Sequence, residues 1–142
     1  MPKRTSPRIE LFELIGALAR RRFQAAERSF ASLGLNHTEA RLLAMLADEA
    51  GPTTQDALSR RLSVDRSNAG RAFKRLEQAG YVGRRKDDTD NRANLVDITS
   101  KGRETAAEVN RLRTEMARTF FGELTDADAA TIVKLLGKAT SA

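Results

Sequence analysis

The chain has no cysteine, no tryptophan and a single histidine, His37. Without thiols there is no disulfide scaffold, no zinc–thiolate site, no cysteine nucleophile and no thiol-based redox sensing. One histidine argues against histidine metal clusters and a Ser-His-Asp triad. The nine glycines are scattered, and they form neither a P-loop nor a G-x-G-x-x-G turn. No nucleophile stands beside a base at a familiar spacing, so neither an enzyme nor a cofactor or metal site is expected. Long apolar runs are missing too. The longest stretch free of Asp, Glu, Lys and Arg runs from Ser29 to Thr38, and it contains Ser, Asn, His and Thr. No transmembrane helix or signal peptide can be assembled from that, and the expected compartment is the cytoplasm.

What remains is a chain of 142 residues, 40% hydrophobic and 31% charged, which is a globular composition of one-domain size. Its net charge is +6, which favours a polyanionic partner. The charge is uneven. Residues 1–30 carry seven basic and three acidic groups, residues 53–92 carry ten and six, and residues 93–142 are balanced at seven each. Charge alone is equally compatible with a solvated basic surface.

Residues 1–8 hold two of the three prolines and show no apolar periodicity, so they read as a basic arm. Phe12, Ile15, Ala19, Phe23, Ala26 and Phe30 then recur at spacings of three and four, one face of a long helix that Gly34 terminates. Asn36 and Glu39 form a capping-box pattern ahead of a helix with Leu42, Leu43 and Leu46 inward, ending at Gly51-Pro52. Thr53 and Thr54 are candidate N-caps for a short helix that ends near Leu62. Ser63-Val64-Asp65 makes a tight turn, and Asp65 caps a helix with Ala69, Ala72, Phe73 and Leu76 on one face, stopping at Gly80. The period then changes. Tyr81-Val82 opens a strand, residues 87–91 form a polar turn, and Leu95 to Thr99 is a second strand with Val96 and Ile98 on one face. Thr99 or Ser100 caps a long helix carrying Ala106, Val109, Leu112, Met116, Phe120 and Leu124. Thr125 with Asp128 starts a last helix with Ile132, Val133, Leu135 and Leu136.

A short helix, a tight turn, a second helix and a hairpin make a winged helix-turn-helix. The fold class expected is mainly α, a winged helix-turn-helix with flanking N- and C-terminal dimerisation helices. Residues 9–34 and 101–142 supply those helices, and residues 35–100 form the DNA-binding lobe. With Ala69, Ala72, Phe73 and Leu76 inward, the helix after Asp65 shows Arg66, Ser67, Asn68, Arg71, Lys74 and Arg75 outward. A recognition helix presents its N-terminal residues to base edges in the major groove, where Arg pairs with guanine and Asn with adenine. An ordinary solvated helix face is the competing interpretation of the same residues. Gly70 lies mid-helix, either for close approach of the backbone to DNA or by simple tolerance. The hairpin carries Arg84 and Arg85 on one limb and Arg92 past the turn. An arginine at a wing tip can enter a narrow minor groove, and Asp90 is placed to orient Arg92 through a charge-assisted hydrogen bond.

These residues carry a resemblance. Asp90-Asn91-Arg92, Ile98-Thr99 and Lys101-Gly102 resemble the wing of the MarR (multiple antibiotic resistance regulator) family. Leu76-Glu77-Gln78-Ala79-Gly80-Tyr81-Val82 is similar to that family's exit from the recognition helix, and Val64-Asp65 to its entry. Ile98 and Gly70 depart from the usual leucine and small polar residue. The resemblance implies an obligate homodimer with interleaved terminal helices and two lobes facing successive major grooves of a pseudo-palindrome. It also implies a pocket between the dimer helices and the lobe, near His37, for a small aromatic or phenolic effector. The implied function is a sequence-specific double-stranded DNA-binding transcriptional regulator, a repressor released by that ligand. The alternative is a winged helix used as a protein- or RNA-interaction module, which an acidic or apolar recognition face would favour. The apolar stripes support dimerisation independently, because one small winged helix cannot bury Phe12, Ile15, Phe23, Met116, Phe120, Ile132 and Leu136.

Overall fold

The computed structural model describes residues 6–86, 88–89 and 94–140. Helix α1 spans Pro7–Ala31, α2 His37–Ala47, α3 Gln55–Arg61, α4 Arg66–Gln78, α5 Ser100–Phe120 and α6 Asp126–Gly137. Strands β1 (Thr53–Thr54), β2 (Val82–Lys86) and β3 (Asn94–Ile98) form an antiparallel sheet in the order β1-β3-β2. This is a winged helix-turn-helix between two helical flanks.

Local chemistry sets the boundaries. Ser6 accepts the Ile9 N–H and Pro7 occupies the first turn, where its missing N–H costs nothing, so α1 begins two residues before the expected position 9. Gly34, at φ +71°, ends the connection after α1. Asn36 and Glu39 form a reciprocal capping box on α2, as do Thr125 and Asp128 on α6. Two ends differ from expectation. Helix α2 stops at Ala47 rather than at Gly51-Pro52. Helix α5 stops at Phe120, so Leu124 lies beyond it, past a left-handed Gly122 at φ +56°.

The core lies where α2, α3, α4, β2 and β3 meet, with Phe73, Leu42, Leu43, Leu46, Leu58, Leu76 and Val96 fully enclosed. Ala106 and Val109 of α5 and Ala26 and Phe30 of α1 complete it. Much of the apolar stripe of α1 is not covered: Phe12 is 76% exposed and Phe23 53%. Helix α6 buries no residue at all.

The Thr99–Gly102 segment, part of the wing resemblance, is a latch between the lobe and α5. Thr99 Oγ1 donates toward the Gly80 and Tyr81 carbonyls at 2.7 and 3.1 Å and accepts the Gly102 N–H at 3.0 Å. Lys101 Nζ donates to the Ala79 carbonyl at 2.7 Å. A Cβ at Gly102 would overlap the Tyr81 carbonyl oxygen and lie 2.7 Å from Ile98 Cγ1. Backbone has to move to relieve that, so Gly102→Ala is expected to lower unfolding stability by about 1–3 kcal/mol. Denaturant midpoints of the two proteins check this, and an unchanged midpoint refutes the latch.

Candidate nucleic-acid interface

Helices α3 and α4 are joined by a turn in which Ser63 adopts φ +55° and Val64 N–H bonds the Ser59 carbonyl at 3.0 Å. Asp65 then caps α4, accepting the Asn68 N–H at 2.8 Å. Ala69, Ala72, Phe73 and Leu76 are each 1% exposed or less. That seating fixes the rotation of α4 about its axis. Arg66, Ser67, Arg71, Lys74 and Arg75 are exposed on the other side, and Asn68 is half-buried.

The cations on this face are not equivalent. Arg66 Nη2 pairs with Asp56 Oδ2 of α3 at 2.7 Å. Arg75 Nε donates to Glu39 Oε2 of α2 at 2.5 Å, and that carboxylate is buried while its other oxygen accepts the Asn36 N–H at 2.8 Å. Arg75 is thereby tied to the lobe's interior support, a contact made across 36 positions of sequence. Arg71, Lys74 and Arg85 have no ion pair among the described residues. Around Gly70 there is room: an added Cβ would sit 3.6 Å from Gln55 Nε2, an ordinary contact. Packing within the chain therefore does not require glycine there, and both explanations of it stand.

On the wing, strand alternation separates two neighbouring arginines. Val82, Arg84 and Lys86 share one side of β2, and Gly83 and Arg85 the other. Val82 is buried, and Arg84 follows it inward: its side chain is 24% exposed and bonds Glu77 of α4 at 3.1 Å and Gln55 of α3 at 3.3 Å. Arg85 is exposed. Arg84 and Arg85, both DNA-binding candidates of the hairpin, are thus placed differently, since the pleat turns Arg84 toward the helices and leaves Arg85 outside. Asp90 and Arg92 lie outside the described residues.

Behind the lobe, α1, α2, α5 and the end of α3 line a half-open cavity of about 740 Å³ whose walls include Phe30, His37, Met45 and Phe120. Arg22, Arg41 and Arg113 line it as well. His37 stacks near Phe30 and meets Phe23 edge-on, with ring centroids 6.4 and 5.6 Å away, and its backbone N–H donates to Glu27 at 2.9 Å. Burial, then the charges of Arg41 and Arg22, hold the His37 imidazole below its ordinary pKa. Burial and the neighbouring Arg22 and Arg113 likewise lower that of Arg41. A cavity whose walls join α1 and α2 to the remote α5 leaves little trace in sequence beyond His37 itself. Among the described residues, no helix is long and apolar enough to cross a membrane.

Comparison with known proteins agrees with this geometry. A family model described as the MarR family matches residues 33–93, the core of the lobe. The HTH-type transcriptional regulator YcgE of Bacillus subtilis is 28% identical over 131 residues, which is 92% of this chain and 82% of that one. Among solved structures, a MarR-family regulator from Rhodococcus superposes with a TM-score of 0.87 at 17% identity, covering 97% of both chains. A MarR variant from Escherichia coli, solved in complex with operator DNA, superposes at 0.82 with 25% identity over 92% of this chain and 94% of that one. BpsR of Bordetella bronchiseptica, whose DNA binding is regulated by 6-hydroxynicotinic acid, superposes at 0.84 with 21% identity over 100% of this chain and 99% of that one. The lobe and the flanking helices share the fold of MarR-family winged helix-turn-helix regulators, and residues 33–93 match that family's model.

Proposed function

We propose that this protein is a cytoplasmic, non-enzymatic homodimer that binds a pseudo-palindromic double-stranded DNA operator sequence-specifically. It acts as a repressor, and a small aromatic or phenolic ligand in the cavity releases it. The observation that carries this reading is the exposed face of α4, where Arg71 and Lys74 stand without a counter-charge among the described residues, on a helix whose other face is locked into the core. Such a face is complementary to phosphate and to base edges in a major groove. Ser67, Asn68 and Arg71 are assigned to base edges, and Lys74 and Arg85 to phosphates. Arg66 exchanges Asp56 for phosphate on binding, and Arg75 braces α4 from its edge. Arg92 and Asp90 keep the wing-tip role that their motif implies. The uncovered stripes of α1 and α6 support the dimer, and the operator complex of the Escherichia coli relative supports DNA as the partner. The cavity's mixed apolar and cationic wall, and the ligand of the Bordetella relative, support the effector.

Selection from a random pool of duplexes tests the reading. The expected outcome is an inverted repeat whose half-site centres lie about 10 base pairs apart, since a two-fold dimer meets the same face of the helix once per turn. Failure to enrich any duplex, with retention of RNA or of an acidic protein instead, would establish the interaction-module alternative.

A further inference from the structure

Arg84 sits at the meeting point of the three parts of the lobe that a DNA duplex engages. It belongs to β2 of the wing, opposite Val96 of β3. Its Nη1 reaches Gln55 Oε1, the first residue of α3, and its Nη2 reaches Glu77 Oε1 in the last turn of α4. Its Nε is buried with no hydrogen-bond partner among the described residues. A guanidinium half-sunk in a lobe with one N–H unpaired is a poor way to stabilise a fold, and such a group calls for another reason. A planar fork held at two corners fixes direction as well as distance, which a lysine or an apolar side chain does not.

We propose that Arg84 is a positioning residue for operator recognition: by gripping Gln55 and Glu77 it sets the angle between the wing and the recognition helix, and does not itself bind DNA. This rests on the DNA-binding reading above. Specific binding needs α4 in the major groove and the wing beside it in the same complex, so a change in their angle weakens the operator complex. Binding to scrambled DNA depends on phosphate neutralisation and tolerates the change.

The test uses the full-length protein, the duplex selected by the wild type and a scrambled duplex, with binding measured across a range of salt. Arg84→Met is expected to weaken the selected site about tenfold or more, leave scrambled DNA within about twofold, and leave the salt slope unchanged. Glu77→Ala gives a test of opposite sign. If Arg84 were a DNA cation restrained by Glu77, removing that carboxylate would tighten binding to both duplexes. If Arg84 positions the wing, the selected site weakens although a negative charge has been removed. Arg84→Met combined with Glu77→Ala is then no worse than Arg84→Met alone. Uniform weakening by Arg84→Met with a slope smaller by about 1, tighter binding by Glu77→Ala, or wild-type binding by both variants overturns the proposal. Should circular dichroism show Arg84→Met unfolded, the sign of the Glu77→Ala effect decides alone. A wild type that selects no duplex refutes the DNA-binding reading itself, and this proposal falls with it.

Discussion

Phe12→Glu is expected to sediment at micromolar concentration as a folded monomer of 15.7 kDa, where the wild type sediments at twice that mass. Phe12 is 76% exposed in the single chain, and Ile9, Leu11, Leu14 and Ile15 around it are 45–54% exposed. A capped helix of 25 residues with that surface has no place in one chain to put it. Helix α6 has the same difficulty, with Val133 at 72% and Leu135 at 55%. In a two-fold dimer each substitution acts twice. Losing a buried Phe contributes about 1.5–3 kcal/mol per protomer, so the dimer loses about 3–6 kcal/mol, a rise of roughly two to four orders of magnitude in the dissociation constant. The lobe itself is spared, because Phe12 is not among the core residues. Deleting the whole of α1 is a poorer test, since it also takes Ala26 and Phe30 out of the core. The monomer is further expected to lose most of its operator affinity, as its two half-sites no longer bind as one unit. A well-folded wild-type monomer at micromolar concentration ends the dimer reading.

The contrast between Phe12 and Phe30 shows how far sequence periodicity carries. Both lie on the same apolar stripe, and the stripe predicts α1 correctly, but period alone does not say which part of it the chain's own core will cover. The recognition helix was fully legible: Asp65 caps it, and its four predicted inward residues are all buried. The capping boxes were legible because their chemistry is local, reaching only three residues. Strand β1 was not. Two residues are too few to show an alternation, and Thr53 and Thr54 read as caps, a role that Thr54 does fill for α3. The helical-face argument for Arg75 and the hairpin argument for Arg84 described each element by itself. Glu39, Glu77 and Gln55 approach these arginines from other elements, and nothing in local spacing announces them. Thr99, Lys101 and Gly102 read from sequence as a family motif, and packing gives the motif its physical content, a latch with no room for a Cβ at Gly102.

The differences among the arginines of α4 and the wing give the second large effect, that of Arg71→Ala. Arg66, Arg75 and Arg84 each have a carboxylate partner, so removing any of them changes the lobe as well as its charge. Arg71 has no such partner among the described residues, and it projects from the second turn of α4, on the side opposite Phe73 and Leu76. Its removal leaves the core and every described ion pair intact, so thermal unfolding of the DNA-free protein is expected to match the wild type. The whole effect should appear on DNA. If Arg71 makes the bidentate guanine contact its type and position suit, the selected operator weakens by about 1–3 kcal/mol per half-site, about 5- to 150-fold, and one base position in each half is no longer discriminated. Scrambled DNA then weakens little. If instead Arg71 meets a phosphate, both duplexes weaken alike, and the slope of log affinity against log salt falls by about 1 for each phosphate no longer neutralised. Isotherms on both duplexes at several salt concentrations, with a selection repeated for the variant, separate the two. The position where the variant's preferred site drops its base preference is the base pair that Arg71 reads. Wild-type affinity, salt slope and specificity in Arg71→Ala would remove this helix face from the groove and overturn the assignment of α4 as the reading element.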